Sequence, residues 1–303
     1  MQQHNLYLQR INLVIDHIRD HLNDDLSLDK LAEVAAFSPF HFHRIFTSLT
    51  GERLNQCVGR LRLERAVALL KTSPTMPIID AVIETGFTSA SVFSRAFKAR
   101  FGISPRQWDR QRPLKESKNG QVLDGFPRYS VDMLSDVDDA GEFEVRLREL
   151  PTQRLAVIHV MPAYMPENII AGYTRLMDWF CAHGGNLARA TLYGMSQDDP
   201  EVTPLELCRY DWCLTLPERW SAAPEGDSVI REFPACHVAT IHCKGDIYLV
   251  DRAWQYLYRY WLPRSRFQPD NLPAMEIYHP GHHPADTGWG NFDQDCAVPI
   301  IAL

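Results

Sequence analysis

The chain of 303 residues has few of the features that mark an enzyme, a secreted scaffold or a membrane protein. Its seven cysteines, at 57, 181, 208, 213, 236, 243 and 296, include no CxxC pair, which excludes a zinc cluster or a dense disulfide framework and leaves them as reduced thiols. No apolar run approaches the roughly 18 residues that a membrane span needs, and the opening MQQHNLYLQRINLVIDHIRDHL has neither a basic nor an apolar leader region. A cytoplasmic protein with no membrane contact is therefore expected. No GxSxG, HExxH, phosphate-binding loop or dinucleotide fingerprint is present, so neither a catalytic residue nor a cofactor is expected. The loop HPGHHPAD groups His279, His282, His283 and Asp286, but without the helical or strand spacing that would make them converge, so no metal site is expected there.

An overall basic charge is also missing, since the net formal charge is -7. The deficit is uneven. Residues 1–115 hold 16 Lys and Arg against 11 Asp and Glu, a local +5, and the remainder holds 15 against 27, a local -12. Local charge is what meets phosphate, so the amino-terminal third remains free to bind nucleic acid.

The most restrictive stretch is Pro77–Trp108. Ile78, Ile79, Val82 and Ile83 form a short helical stripe that stops at Gly86. A second helix follows, with Val92, Phe93, Ala96, Phe97 and Phe101 on one face and Ser91, Ser94, Arg95 and Lys98 on the other. Two short helices about a tight turn, the second basic on its free face, predict a helix-turn-helix that meets DNA. Residues 27–51 follow the same plan. Ser27 is placed to cap one helix, and Ser38-Pro39 opens another that buries Phe42, Ile45, Phe46 and Leu49 and turns Phe40, His43, Arg44 and Thr47 outward. A longer helix from about Leu54 to Lys71 joins the two units. A rigid connector would place both outward helices in successive major-groove segments about 34 Å apart, so one chain could read two half-sites as a monomer or weak dimer.

The order of residues here resembles the AraC/XylS transcription regulators. The match runs through Leu31-Ala32, Ser38, Arg44-Ile45-Phe46, Gly51, Arg62 and Ala66, then Asp80, Gly86-Phe87, Ser89, Phe93, Ser94-Arg95, Phe97-Lys98, Phe101-Gly102, Ser104-Pro105 and Trp108. The resemblance implies DNA contacts from Phe40, His43 and Arg44 in the first unit and from Ala90, Ser91 and Arg95 in the second. It also implies promoter DNA and RNA polymerase as partners, and an activator as the regulatory type. Relatives often carry amide side chains where this chain has Ala90 and Ser91, so Arg44 and His43 are expected to do more of the base reading.

From Leu114 to Glu142 the periodicity fades into Gly, Pro, Ser and Asp, which predicts a linker. Beyond it the chain repeats. Glu149-Leu150-Pro151 and Ala156-Val157-Ile158-His159 return as Glu232-Phe233-Pro234 and Ala239-Thr240-Ile241-His242, each followed by an aromatic helical stretch and further strands. The expected architecture is an all-α double helix-turn-helix domain over 1–113, a linker over 114–142, and an α+β domain of two tandem β-α-β-β repeats over 143–303. This half resembles the GyrI-like effector-binding domain, on the paired ELP/EFP and AxIH motifs, Tyr210-Asp211 and Met275-Glu276-Ile277-Tyr278. The resemblance implies a small-molecule effector, cationic and amphipathic, with Glu276 as its acidic contact. A carboxylate beside aromatic rings suits such a ligand through charge and cation–π attraction. Tyr278, Trp179, Tyr193, Trp212, Trp254, Tyr258 and Trp261 are candidate walls. Two alternatives stand beside it: a hydrolase using Glu276 and a neighbouring tyrosine as base and acid, and a module that binds another protein.

Overall fold

The computed structural model describes residues 2–73, 75–110, 143–198, 203–270 and 272–302. The expected linker lies outside the described residues. The chain divides into two compact units, an all-helical one and a sheet-based one.

In the first unit, α1 (Gln2–Asp20), α2 (Leu28–Val34), α3 (Pro39–Thr50), α4 (Leu54–Thr72), α5 (Ile78–Glu84) and α6 (Ala90–Phe101) form two helix-turn-helix pairs, α2–α3 and α5–α6, with α4 between them. The helical stripes read from the sequence become two separate cores. Ile11, Val14, Ile18, Leu31, Phe42, Phe46 and Leu61 make the first, and Val67, Leu70, Val82, Phe93, Phe97, Phe101 and Trp108 the second. Aromatic spacing of three and four residues lets successive rings meet, with Phe93–Phe97 centroids at 5.7 Å and Phe97–Phe101 at 4.7 Å. Arg62 on α4 donates to the carbonyls of Leu22 (3.0 Å) and Asp24 (3.4 Å), fixing the connector to the end of the first helix.

Two local expectations need correction. The α5 stripe is narrower than predicted: Ala81 and Val82 are buried, but Ile79 and Ile83 are 50% and 61% exposed. A seven-residue helix presents only one side to the core, and these two residues fall off it. Ser27 and Ser38 sit at N-cap positions without a side-chain capping bond, whereas Ser89 does accept the Val92 amide at 3.2 Å.

The second unit is built on β1 (Arg146–Leu150), β2 (Gln153–Val160), α7 (Pro166–Ala182), β3 (Leu192–Ser196), β4 (Tyr210–Thr215), β5 (Ser228–Phe233), β6 (Cys236–Gly245), α8 (Ile247–Gln255), β7 (Phe267–Pro269), β8 (Met275–Tyr278) and β9 (Phe292–Ala302). All the strands join one antiparallel sheet in the order β1-β6-β9-β8-β3-β4-β2-β5, with β7 also on β9. That order reads alike from both ends if β6, β9 and β8 are matched to β2, β4 and β3. Each half holds more than the four elements expected, because β1 and β5 precede the main strands. Their pairing is crossed: β1 lies on β6 and β5 on β2, so each half lends its opening strand to the other.

Residues directly opposite across paired strands share a face. One row therefore runs Ile241, Cys296, Glu276, Gly194, Trp212 and Ile158. The two helices cover the ends of this face, α7 over β2 and β4 and α8 over β6 and β9. Between them lie β3 and β8. The opposite face buries Leu155, Val157, Tyr193, Met195, Cys213, Val238 and Ile277 in its own core.

Candidate functional site

Glu276 stands at the centre of that face, where β8 meets β3. Its register partner is Gly194. A two-fold relation that carries β3 onto β8 passes between these two, so the glycine occupies the place that would otherwise hold a second side chain against the carboxylate. The space is used: a methyl at residue 194 would overlap the Tyr210 hydroxyl and approach Glu276 Oε2 to 3.0 Å. Tyr210 fills it and donates to Glu276 Oε2 at 2.7 Å, and Tyr278, two residues along β8, donates to the same oxygen at 3.1 Å. Gln294 is a third hydrogen-bonding partner, and its side-chain carbonyl is buried with no partner among the described residues.

Aromatic rings close around this group. Trp212 lies 5.0 Å from Tyr210, 5.9 Å from Tyr278, 5.6 Å from Tyr173 and 6.1 Å from Trp289, centroid to centroid. Tyr173 comes from α7, and its hydroxyl meets His283 Nδ1 at 3.1 Å. Trp289 holds its backbone at φ 62°, a left-handed conformation that costs a bulky residue free energy, and packs edge-on against Tyr173 at 5.2 Å. Glu276 is half-buried on this face.

Burial raises the Glu276 pKa above the ordinary carboxylate range, outweighing the hydrogen bonds from Tyr210, Tyr278 and Gln294. Tyr210 and Tyr278 are raised well above the phenol range by burial and by the neighbouring carboxylate. Tyr173 is pushed up to about 12 by burial and Asp286. Among the described residues no Lys or Arg pairs with Glu276. The site therefore presents one carboxylate, neutral donors already committed to it, and rings: a surface short of positive charge.

Of the predicted walls, Trp212 and Tyr278 belong to this group. Tyr193 is a correction, because it pairs with Ile277 and so faces away, with its hydroxyl on Gln153 at 3.0 Å. Trp179 lies elsewhere on α7, against Trp220 (5.4 Å) and His183 (5.5 Å). Trp254, Tyr258 and Trp261 sit in or just after α8, with Trp254 stacked on Tyr258 and Trp261 on Phe267. Sequence reading passed over Gly194, Tyr173, Trp289 and Gln294. The alternation of β3 gave a usable signal for Gly194, since a glycine amid buried strand residues marks close approach by a neighbour.

In the helical unit, His43, Arg44, Ser91, Arg95 and Lys98 are exposed on α3 and α6. Thr47 is only half-buried, but its hydroxyl oxygen is buried, so it is not the outward group expected. Ala90 is half-buried against the second core, which leaves Ser91 as the solvent-facing group at the start of α6. The Phe40 side chain lies outside the described residues.

Residues 143–300 match the GyrI-like small molecule binding domain, and residues 31–111 match a helix-turn-helix domain family. Among curated relatives, an uncharacterised HTH-type transcriptional regulator of Staphylococcus aureus strain COL is 29% identical over 150 residues, 48% of this chain and 20% of that protein. The right origin-binding protein of Escherichia coli K12 is 32% identical over 93 residues, 31% of this chain and 32% of that one. The chain thus spans between a fifth and a third of these relatives. A solved EcmrR–DNA complex aligns over 91% of this chain and 99% of its own, at 12% identity and a TM-score of 0.41. The chain belongs to the GyrI-like small molecule binding family, and carries an AraC-type helix-turn-helix domain ahead of that domain.

Proposed function

We propose that the protein is a sequence-specific transcription regulator, an activator that engages promoter DNA and RNA polymerase, and that its second unit is two tandem halves, each a β-α-β-β core with an added opening strand, sensing a small lipophilic organic cation. The observation that carries the effector reading is Glu276: a carboxylate at the centre of the sheet face, ringed by Tyr210, Trp212 and Tyr278, with no protein cation beside it among the described residues. An organic cation supplies the missing charge and the apolar surface together. Exposed His43, Arg44, Ser91, Arg95 and Lys98 on the second helix of each helix-turn-helix support the DNA reading, in a unit whose sequence is locally basic.

A promoter footprint tests the DNA half. Replacing Arg44 and Arg95 together by Ala is expected to weaken specific binding by about 1–3 kcal/mol for each base that is no longer read. An unchanged footprint would overturn both assignments. For the effector half, tetraphenylphosphonium should quench tryptophan fluorescence on binding, and the probe recovered after incubation should be chemically intact. Turnover would favour the hydrolase reading.

A further inference from the structure

The two halves carry corresponding polar clusters on the sheet face opposite Glu276, and they differ at two positions, where Gln197 and Arg209 of the first half correspond to His279 and Asp293 of the second. In the first half, His159 and Asp211 are directly opposed across β2 and β4, and His159 Nδ1 meets Asp211 Oδ1 at 2.7 Å. Gln197, just past β3, donates to Asp211 Oδ2 at 2.8 Å. Arg209 Nε is 3.3 Å from Asp211 Oδ1, and Arg231 adds its charge. Burial alone would raise the Asp211 pKa, but Arg209, His159 and Arg231 together hold it well below the usual carboxylate range. This cluster is sealed, with His159 and Asp211 side chains 3% and 0% exposed.

In the second half, His242 and Asp295 are opposed in the same way across β6 and β9, and His242 Nδ1 meets Asp295 Oδ1 at 2.9 Å. Arg148 on β1, which pairs with Val238 as Arg231 pairs with Leu155, reaches Asp295 Oδ2 at 2.6 Å. The position past β8 that corresponds to Gln197 is His279, whose Nε2 lies 3.0 Å from Asp295 Oδ2. The cluster is also open: the side chains of His242 and His279 are 51% and 37% exposed. A donor amide in a sealed network has become a second imidazole in an accessible one.

We propose that His242, His279 and Asp295 form a binding site for a first-row divalent transition-metal ion. One nitrogen from each ring and a carboxylate oxygen already lie within 4.8 Å of one another. Two imidazoles and a carboxylate suit zinc and its neighbours, with water completing the shell. His242 Nδ1 faces the shared centre, and its Nε2 is 3.5 Å from Asp293 Oδ1, the outer carboxylate that orients a metal-bound imidazole. Asp293 is itself anchored by Lys244 at 2.9 Å, and His282 approaches its other side at 3.5 Å. Arg148 holds Asp295 Oδ2, leaving Oδ1 to turn toward the ion.

Where the free His242 ring carries its hydrogen on Nδ1, toward Asp295, binding through that nitrogen moves the hydrogen to Nε2, toward Asp293. Titration of the full chain with Co2+, followed by its visible absorption and by calorimetry, tests the site. One ion per chain is expected. His279→Gln installs the residue that the first half has at this position, so the fold should persist while Co2+ affinity falls at least about tenfold; Asp293→Asn should lower it by about 10–100-fold. Absence of Co2+ uptake by the parent protein, or unchanged affinity in a folded His279→Gln variant, overturns the proposal and leaves His279 as a hydrogen-bond donor equivalent to Gln197.

Discussion

At the scale of single residues, Glu276 is a charged group in a setting that favours its neutral form. Its ionised state costs the fold free energy, so the penalty is absent below the unfolded value near 4.3 and grows as pH rises toward the raised folded value. Glu276→Gln is therefore expected to raise the melting temperature at neutral pH and to leave it nearly unchanged in acid, as thermal unfolding at several pH values would reveal. Ligand binding should show the reverse side of this. Affinity for tetraphenylphosphonium should fall as pH drops through the raised value, while the neutral triphenylphosphine oxide should bind independently of pH. Equal pH profiles for the two probes would remove the charge argument. Gly194 belongs to the same account. Gly194→Ala forces the Tyr210 hydroxyl off Glu276, because backbone and strand pairing leave the new methyl nowhere else to go. The expected outcome is a folded protein with altered cation affinity, and wild-type affinity in that variant would show that the Tyr210–Glu276 bond does not shape the site.

At the scale of elements, the two helix-turn-helix units use the same turn with different residues. Gly86 has φ 71° between α5 and α6, and Ala36 has φ 51° between α2 and α3. A methyl at Gly86 would overlap the Leu22 carbonyl oxygen and come within 3.1 Å of Arg62 Nη2, so the turn, the end of α1 and the connector α4 meet at this point. Gly86→Ala should cost at least the roughly 1–2 kcal/mol of the left-handed backbone, plus the overlap, whereas Ala36→Gly should relieve strain. Chemical denaturation of both variants checks this; equal and opposite effects are not expected, because only Gly86 lacks room. The helical stripes, the aromatic cores and the turn at Gly86 were legible because a helix brings together residues three or four apart. The exposure of Ile79 and Ile83 and the inward Thr47 hydroxyl were not, since they depend on where neighbouring helices stop.

At the scale of the whole molecule, opposite charges reside in different parts of the chain: a basic helical unit suited to phosphate and an acidic unit suited to a cation. Within the second unit, a sheet whose strand order reads alike from both ends places unlike residues at corresponding positions. Glu276 faces Gly194, and His279 corresponds to Gln197. Each difference marks a place where one half has kept a structural arrangement and the other presents a group to solvent or ligand. By itself the sequence determined the two helix-turn-helix units, the charge division and the doubled motifs, because these rest on spacing within a few residues or on direct repetition. Only tertiary structure decided which groups meet: Tyr210 reaches Glu276 from 66 residues away, and His242 reaches Asp295 from 53. Those meetings depend on strand order and register, and a shift of one residue would turn every one of these side chains to the opposite face.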